Sequence, residues 1–225
     1  MASYEHDIDV LEQELTSVEA AFRSLTPDQW QLPTGLEPVD TTLKRWTLFE
    51  LAGHFDISIG LTRMLISSAQ QGQVGRDRIS FFIFSRPIEA PVVYDYAYTM
   101  VQGKKPSDMP DVLHETFSKT ISESRATPPQ TIGSAYYALM RLDEFVASRV
   151  VEGVVHGLDL TDALGRPCMA SAEGIADTAA ILDELLARRT VPGRPADLGD
   201  DLDWIRAASG RAASPHPDPR LPLIG

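Results

Sequence analysis

Residues 149–162 have the sequence RVVEGVVHGLDLTD. Between its charged positions the stretch is built from Val, Leu and Gly, so most of the circumference of a helix formed here would be apolar. A helix of that kind lies inside a protein and not on its surface. The stretch therefore predicts a buried helix in a mainly α fold. We expect this helix to be the longest, from about Ser134 to Leu164, with Gly165 following its end.

Four polar side chains share one face of this predicted helix. Glu152 and His156 are four residues apart, which on a helix places their Cβ atoms about 6 Å from each other. Arg149 and Asp159 continue the same stripe. Unpaired buried charges cost several kcal/mol, so a partner must satisfy them. The residues alone leave two explanations, an internal salt bridge between Arg149 and Glu152 with His156 hydrogen-bonded nearby, or a metal ion.

A metal ion would need a third ligand from another helix, and His54 is the candidate. It lies in mid-helix among Leu51, Phe55 and Leu61, where a lone histidine is ordinarily a satisfied core residue. The three other histidines outside residues 149–162 are predicted at the edge, on the surface or in the tail: His6, His114 and His216. Two histidines and one glutamate form a known catalytic zinc ligand set with an open position for water or substrate.

The remaining elements are indicated by apolar periodicity and by helix end signals. Residues 47–50 (TLFE) form a capping-box pattern at the start of the second helix. Residues 79–84 (ISFFIF) are consistent with a short strand or with a buried irregular segment. Further helices are predicted at about residues 8–25, 47–69, 94–101, 106–125, 171–189 and 200–209, before a proline-rich tail that lies across the body. The most economical architecture is an up-and-down helical bundle with long crossovers.

Composition excludes several classes of protein. The chain has 225 residues, 43% of them hydrophobic, and a net charge of −12 with no basic stripe, which opposes nucleic-acid binding. The sequence contains no run of about 18 apolar residues, so we expect no membrane span. The acidic N-terminus lacks the pattern of a secretory signal. The single Cys168 excludes an internal disulfide, and we interpret it as a small apolar residue and not as a nucleophile. A reducing cytoplasm is the expected location.

Three stretches carry a resemblance to a known family: residues 25–30 (LTPDQW), residues 46–54 (WTLFELAGH) and residues 149–160 (RVVEGVVHGLDL). In order and separation they resemble the mycothiol-dependent maleylpyruvate isomerase family. The resemblance implies a DinB/YfiT-like up-and-down four-helix bundle with long crossovers over residues 1–165. Residues 166–225 are then a small C-terminal helical extension, with its proline-rich tail packed on the bundle.

The resemblance also implies which residues bind a metal. The family's ligands fall on His54, Glu152 and His156. Zn²⁺ is the expected ion, and Ni²⁺ or Fe²⁺ also suit this donor set. For Asp159 two roles stay open, orienting a ligand or lying solvated near the helix end. Arg149 either binds an anionic substrate or the carboxylate of a thiol, or pairs with Glu144 or Glu152.

The implied activity is that of a metal-dependent enzyme. It activates a low-molecular-weight thiol, mycothiol, as a metal-bound thiolate that adds to a small electrophile, as an S-transferase or a cis–trans isomerase. Its partners are then small molecules, without nucleic acid or membrane, and the chain is a monomer or homodimer. The alternatives are a non-catalytic metal- or small-molecule-binding bundle and a purely structural helical protein with a buried ion pair.

The last 60 residues depart from the family pattern. Full isomerases have an α/β C-terminal domain that contributes an arginine to the site, whereas this chain predicts two helices and a tail. The family's arginine cannot be assigned to any one of the candidates in this part of the sequence: Arg188, Arg189, Arg194, Arg206 and Arg211.

Overall fold

The computed structural model describes residues 3–36, 43–83, 86–190 and 193–224, with the backbone alone for 86–89. The described residues form seven α-helices and one two-stranded hairpin. The helices are α1 (Tyr4–Arg23), α2 (Leu48–Ser67), α3 (Arg86–Val101), α4 (Met109–Ala126), α5 (Leu142–Ala163), α6 (Ala172–Arg189) and α7 (Asp201–Ala208). The strands are β1 (Ile132–Ala135) and β2 (Ala138–Arg141). The predicted mainly α class is therefore confirmed.

The predicted start of α2 is confirmed, whereas α1 begins at Tyr4, four residues before the predicted stripe, and capping side chains explain both starts. Ser3 precedes α1 and its side chain accepts a hydrogen bond from the His6 backbone N–H. At α2 the capping box is complete, because Thr47 accepts from the Phe49 N–H while Glu50 accepts from the Thr47 N–H. These bonds satisfy backbone donors that have no acceptor inside the helix.

The predicted helix from Ser134 to Leu164 is wrong over its first eight residues. Residues 132–141 form an antiparallel hairpin with Ala135 opposite Ala138, and α5 begins at Leu142. Ala, Leu and Met favour a helix here, but tertiary contacts override that propensity. The Ser134 N–H donates to Ser68 Oγ (2.9 Å), and the Gln70 N–H donates to the Ile132 carbonyl (2.9 Å). Both bonds fix the hairpin against the end of α2.

Two other boundaries differ from the sequence prediction. The short helix predicted at 94–101 begins at Arg86 and contains Pro91, so α3 extends through a residue that usually interrupts a helix. The helix predicted from residue 106 begins with a 3₁₀ turn at Pro106–Asp108 before α4. The segment 79–84 is no strand in its described part, because Ser80–Phe82 form a 3₁₀ turn and Phe84 lies outside the described residues.

The core lies between α1, α2, α4 and α5. Helix α1 packs against α4 and α5, and α2 packs against the same two helices. Three aromatic rings connect them, since Phe55 on α2 contacts Phe22 on α1 (centroids 6.0 Å apart) and Phe117 on α4 (6.3 Å). The DinB/YfiT-like topology expected for this set of helices stays a prediction. Within the described part of the chain, no helix combines the length and apolarity needed to cross a membrane.

A glycine allows α3 to approach α2 next to His54. A Cβ atom at Gly53 would lie 2.6 Å from the Ala97 carbonyl oxygen and 2.7 Å from a Val101 methyl carbon. Neither distance is sterically possible, so any larger residue would push the two helices apart. Gly53 therefore fixes the position of the α2 backbone at the histidine that follows it.

The predicted helices at 171–189 and 200–209 are confirmed as α6 and α7. Helix α6 packs against α1, α5 and α7. The tail returns to the body, because the Leu223 and Ile224 N–H groups both donate to the Ala208 carbonyl. Arg189 donates to the carbonyl oxygens of Leu223 and Phe82. One guanidinium thus joins the tail to the segment between α2 and α3.

A buried carboxyl group on α1 makes stability depend on pH. Asp7 is 3% exposed, and its Oδ2 lies 3.5 Å from the Arg78 guanidinium. Burial raises the pKa of Asp7 to about 6, more than the nearby Arg78 charge lowers it. The folded protein therefore keeps this proton to a higher pH than the unfolded chain does. The stability associated with Asp7 is highest below about pH 4 and falls as the pH rises through about 6.

We expect the Asp7→Asn variant to lose this pH dependence. Between pH 4 and pH 7 the wild type should lose about 2 to 3 kcal/mol of unfolding free energy that the variant keeps. Chemical denaturation at both pH values measures the difference. Asp9→Asn, which changes an exposed carboxylate on the same helix, is the control. A variant with the same pH slope as the wild type would contradict the assignment.

Candidate metal centre

The structure brings the three predicted ligands together. His54 is on α2, and Glu152 and His156 lie one turn apart on α5. His54 Nε2 is 3.2 Å from Glu152 Oε2, and His156 Nε2 is 3.5 Å from the same oxygen. The two imidazole rings have centroids 4.4 Å apart. Ligand atoms of all three residues lie within 4.8 Å of one another, so this cluster could hold a metal ion.

The chemistry of the donors fits a divalent cation. Two imidazole nitrogens and one carboxylate oxygen form a set that accepts Zn²⁺, Ni²⁺ or Fe²⁺. His156 contacts Asp159 through Nδ1, which leaves its Nε2 directed at Glu152. The Nδ1 atom of His54 is buried without a hydrogen-bond partner among the described residues, and packing against the Trp46 ring (5.0 Å) holds this imidazole instead.

The ionisation of Glu152 and His54 agrees with metal binding, because ligands bind metals in their deprotonated forms, whereas His156 has to release a proton more readily held than usual. Burial alone would raise the pKa of Glu152, but Arg149 and the two imidazoles hold the pKa of this carboxyl well below its usual value. Burial, and secondly the His156 ring, lower the pKa of His54. Burial alone would also lower the pKa of His156, yet its contacts with Asp159 and Glu152 raise it. Glu152 is therefore ionised and His54 neutral at neutral pH.

Asp159 is buried beside His156 and is not solvated near the helix end, which was the second of its two predicted roles. It is 2% exposed, and its Oδ2 lies 2.8 Å from His156 Nδ1. Arg211 donates to both oxygens of the same carboxylate, at 3.0 Å each. Burial alone would raise the pKa of Asp159, but Arg211 and His156 outweigh it and lower the pKa. The carboxylate thus fixes the orientation of the His156 ring, as carboxylates commonly do for ligating histidines.

Arg211 is the residue near the site that the sequence did not single out. It follows α7 at a left-handed turn, with Gly210 at φ +74°, and lies 52 residues beyond Asp159. A single sequence gives no distance between these two positions, so it carried no signal for the pair. The other C-terminal arginines bond elsewhere, to Asp77 and Glu184 (Arg188), Phe82 and Leu223 (Arg189), Asp183 and Asp201 (Arg194), and Asp162 (Arg206).

Arg149 lies beside the cluster and is almost completely buried, at 1% exposure. Its Nη2 is 3.9 Å from Glu152 Oε1, so the ion pair expected in the first explanation is present together with the His–Glu–His cluster. Glu144, the other predicted partner, instead accepts hydrogen bonds from Arg78. The guanidinium of Arg149 lies over the rings of Phe81 (4.7 Å) and Phe145 (4.4 Å).

A cavity of about 200 Å³ opens beside the cluster. Most of its wall is aliphatic or aromatic, with few polar groups, which is typical of sites for small organic molecules. The lining includes the three candidate ligands, Arg76, Arg149 and Arg211, the aromatic residues Trp46, Phe81, Phe82, Tyr94, Tyr96 and Tyr136, and aliphatic residues such as Ile57, Leu61, Val151 and Ile224. Its wall therefore combines α2, α3 and α5 with the hairpin turn and the tail.

In the described part of the chain, no other group of three or more His, Cys, Asp or Glu side chains lies close enough together to hold a metal ion. His6, His114 and His216 each pair with one carboxylate: Asp177, Glu19 and Asp197 respectively. Cys168 is half-buried and packs against the core.

Comparison with protein-family models, with curated proteins and with solved structures found no match to this chain. The predicted family relationship is therefore not shown, and the chemistry of the site has to indicate the function.

The first prediction for this site concerns metal content. Purified protein should contain about one equivalent of a divalent metal, because three ligands converge on one position. His54→Ala and Glu152→Ala should each lose it, whereas His114→Ala, which changes a histidine outside the cluster, should keep it. Elemental analysis of the four proteins measures the stoichiometry. Metal retained by both cluster variants would disprove the ligand assignment.

The second prediction separates Asp159 from the ligands themselves. Asp159→Asn should still bind metal, but with an affinity about 10 to 100 times lower, because the His156 ring loses its charged partner. Competition with a chromogenic chelator measures the affinity. Asp162→Asn is the matched control, since Asp162 lies on the same helix and also binds an arginine, Arg206, but away from the cluster. Equal affinities in both variants would show that Asp159 does not orient His156.

Proposed function

We propose that this protein is a metal-dependent enzyme that activates a low-molecular-weight thiol for addition to a small electrophile. The single observation that carries the proposal is the convergence of His54, Glu152 and His156 at the wall of an apolar cavity. A three-ligand set leaves coordination positions open, and the cavity gives an organic molecule access to them.

A divalent cation at this position would supply an open coordination site at which a thiol binds in its deprotonated form. The protein's own residues do the rest. Asp159 holds the His156 ring with Nε2 towards the cluster, and Arg211 keeps Asp159 ionised. The largely apolar wall favours an organic molecule over water beside the cluster.

The proposed reaction conserves atoms and charge. The thiol loses its proton, and sulfur forms a bond to one carbon of a conjugated double bond. The π electrons move to the neighbouring position, which takes up a proton. Release of this adduct makes the protein an S-transferase. Rotation about the new single bond, followed by loss of the proton and the thiol, returns the thiol and yields the other geometric isomer. The same three ligands serve both outcomes.

Mycothiol is the proposed thiol, and it enters through the resemblance of residues 25–30, 46–54 and 149–160 to the maleylpyruvate isomerase family. The packing of α1 and α2 against α4 and α5 supports the DinB-like bundle that the resemblance implies. Zn²⁺ is the proposed ion. The C-terminal part supplies Arg211 from a helical extension and not from an α/β domain, so we propose the reaction type and not the specific isomerase activity.

The alternative is a non-catalytic metal- or small-molecule-binding bundle. That alternative predicts a ligand shell that is closed to substrate. A cavity of about 200 Å³ in contact with all three ligands favours the enzymatic proposal. A purely structural role for the cluster would not account for a cavity beside it.

The proposal predicts consumption of thiol that depends on both metal and electrophile. Metal-loaded protein should catalyse loss of free mycothiol in the presence of conjugated cis-alkenes or other small electrophiles, with glutathione and cysteine as comparison thiols. A thiol-specific dye follows S-transfer, and chromatography of the alkene follows isomerisation. The metal-free protein and His54→Ala should show the uncatalysed rate. Metal-replete protein that is inactive with every thiol and electrophile would contradict the proposal.

A further inference from the structure

Arg149 presents an incompletely satisfied positive charge to the cavity. Its Nε and Nη2 donate to Ser148 Oγ (3.3 and 3.1 Å), and its Nη1 donates to the Ser58 carbonyl (3.2 Å). All of these acceptors are neutral. A guanidinium has five N–H donors, so these bonds among the described residues account for three of them. The carboxylate of Glu152, at 3.9 Å, is beyond hydrogen-bonding distance.

Aromatic rings lie over the planar guanidinium of Arg149, so a ligand can reach its edge but not its faces. The Phe81 and Phe145 rings lie over the guanidinium at 4.7 and 4.4 Å. A planar guanidinium donates hydrogen bonds in its own plane, in a fork that matches a carboxylate. Tyr136 lines the same cavity and has φ +60°, a backbone conformation that a tyrosine rarely adopts. The two-residue turn of the hairpin accounts for this φ, and it places Tyr136 at the cavity wall.

The balance of charge also indicates a missing anion. Arg211 is neutralised by Asp159, to which it donates two hydrogen bonds. The negative charge nearest to Arg149 is the Glu152 carboxylate. In the proposed function, the same carboxylate also binds a divalent cation. Two positive charges then remain uncompensated beside an apolar cavity, apart from the partly exposed Arg76, whose charge solvent stabilises, and this is unfavourable. An ionised thiol supplies one negative charge, and the second has to come from another molecule in the cavity.

We propose that the substrate accepted by this cavity is an organic monoacid, with its acidic group on the edge of Arg149 and an apolar body against the aromatic wall. This inference rests on the proposed function for the second charge, while the geometry of Arg149 supports the acid group by itself. The cavity volume of about 200 Å³ limits the body to roughly the size of one or two aromatic rings.

Three probes test the substrate class by isothermal titration calorimetry on the metal-loaded protein: 2-naphthoate, 2-naphthamide and acetate. The naphthoate should bind about 10 to 100 times more tightly than the uncharged amide, because a hydrogen bond to a charged group contributes more than one between neutral groups. Acetate, which has the acid but no apolar body, should bind more weakly than the naphthoate. Equal binding of naphthoate and naphthamide would overturn the proposal.

Substitution identifies the residue that binds the acid. Arg149→Met should reduce the naphthoate-to-naphthamide ratio to about one, because an apolar side chain of similar length has no donors. Arg149→Lys keeps the positive charge but loses the planar pair of N–H donors, so it should give an intermediate ratio. This variant replaces Arg149→Met as the test if the Met variant does not fold. Arg63→Met removes an exposed arginine that pairs with Glu123 and should retain the wild-type ratio. A full preference for the acid in Arg149→Met would show that the metal holds the acid, and would overturn the proposal.

Failure of this inference and failure of the proposed function give different results. Protein that binds metal but shows no preference for the acid contradicts the substrate class alone. Protein that binds no metal, yet prefers the naphthoate through Arg149, contradicts the proposed function and supports an acid-binding cavity.

Discussion

The contact between an ionised Glu152 and two imidazoles, at the interface of α2 and α5, is the constraint on which the site depends. A carboxylate in an apolar core is stable only with partners, and here His54, His156 and Arg149 surround it. These partners come from positions nearly a hundred residues apart. The close approach of α3 to α2 at Gly53 fixes the backbone next to His54, so helix packing and site geometry cannot vary independently.

The sequence predicted the fold class from local patterns, whereas the set of three candidate ligands, His54 included, followed from the resemblance of residues 46–54 and 149–160 to a known family. Helices α1, α2, α6 and α7 follow from apolar periodicity and caps, and Glu152 and His156 follow from a spacing of four on a helix. The hairpin at 132–141 escaped prediction because its residues favour a helix and contacts with Ser68 and Gln70 decide otherwise. The positions of Arg211 and of the aromatic wall beside the site could not be predicted for a similar reason, since one sequence contains no information on which distant segments meet.

The role of the last 60 residues becomes clearer from the bonds around His156. The polar chain runs from His156 through Asp159 to Arg211, and so from the candidate ligand to a residue after α7. Ile224 contributes to the cavity wall, and Arg189 joins the tail to Phe82, which also lines the cavity. The extension is thus part of the site, although none of its residues is a candidate ligand.

The wall of the cavity has a consequence for how the protein matures during synthesis. The three candidate ligands leave the ribosome well before Arg211 and Ile224 do. Until Arg211 has been synthesised, Asp159 lacks the guanidinium that neutralises it, and until Ile224 follows, the cavity lacks part of its wall. The site is therefore completed only after residues 211–224 have joined the helices that carry His54, Glu152 and His156.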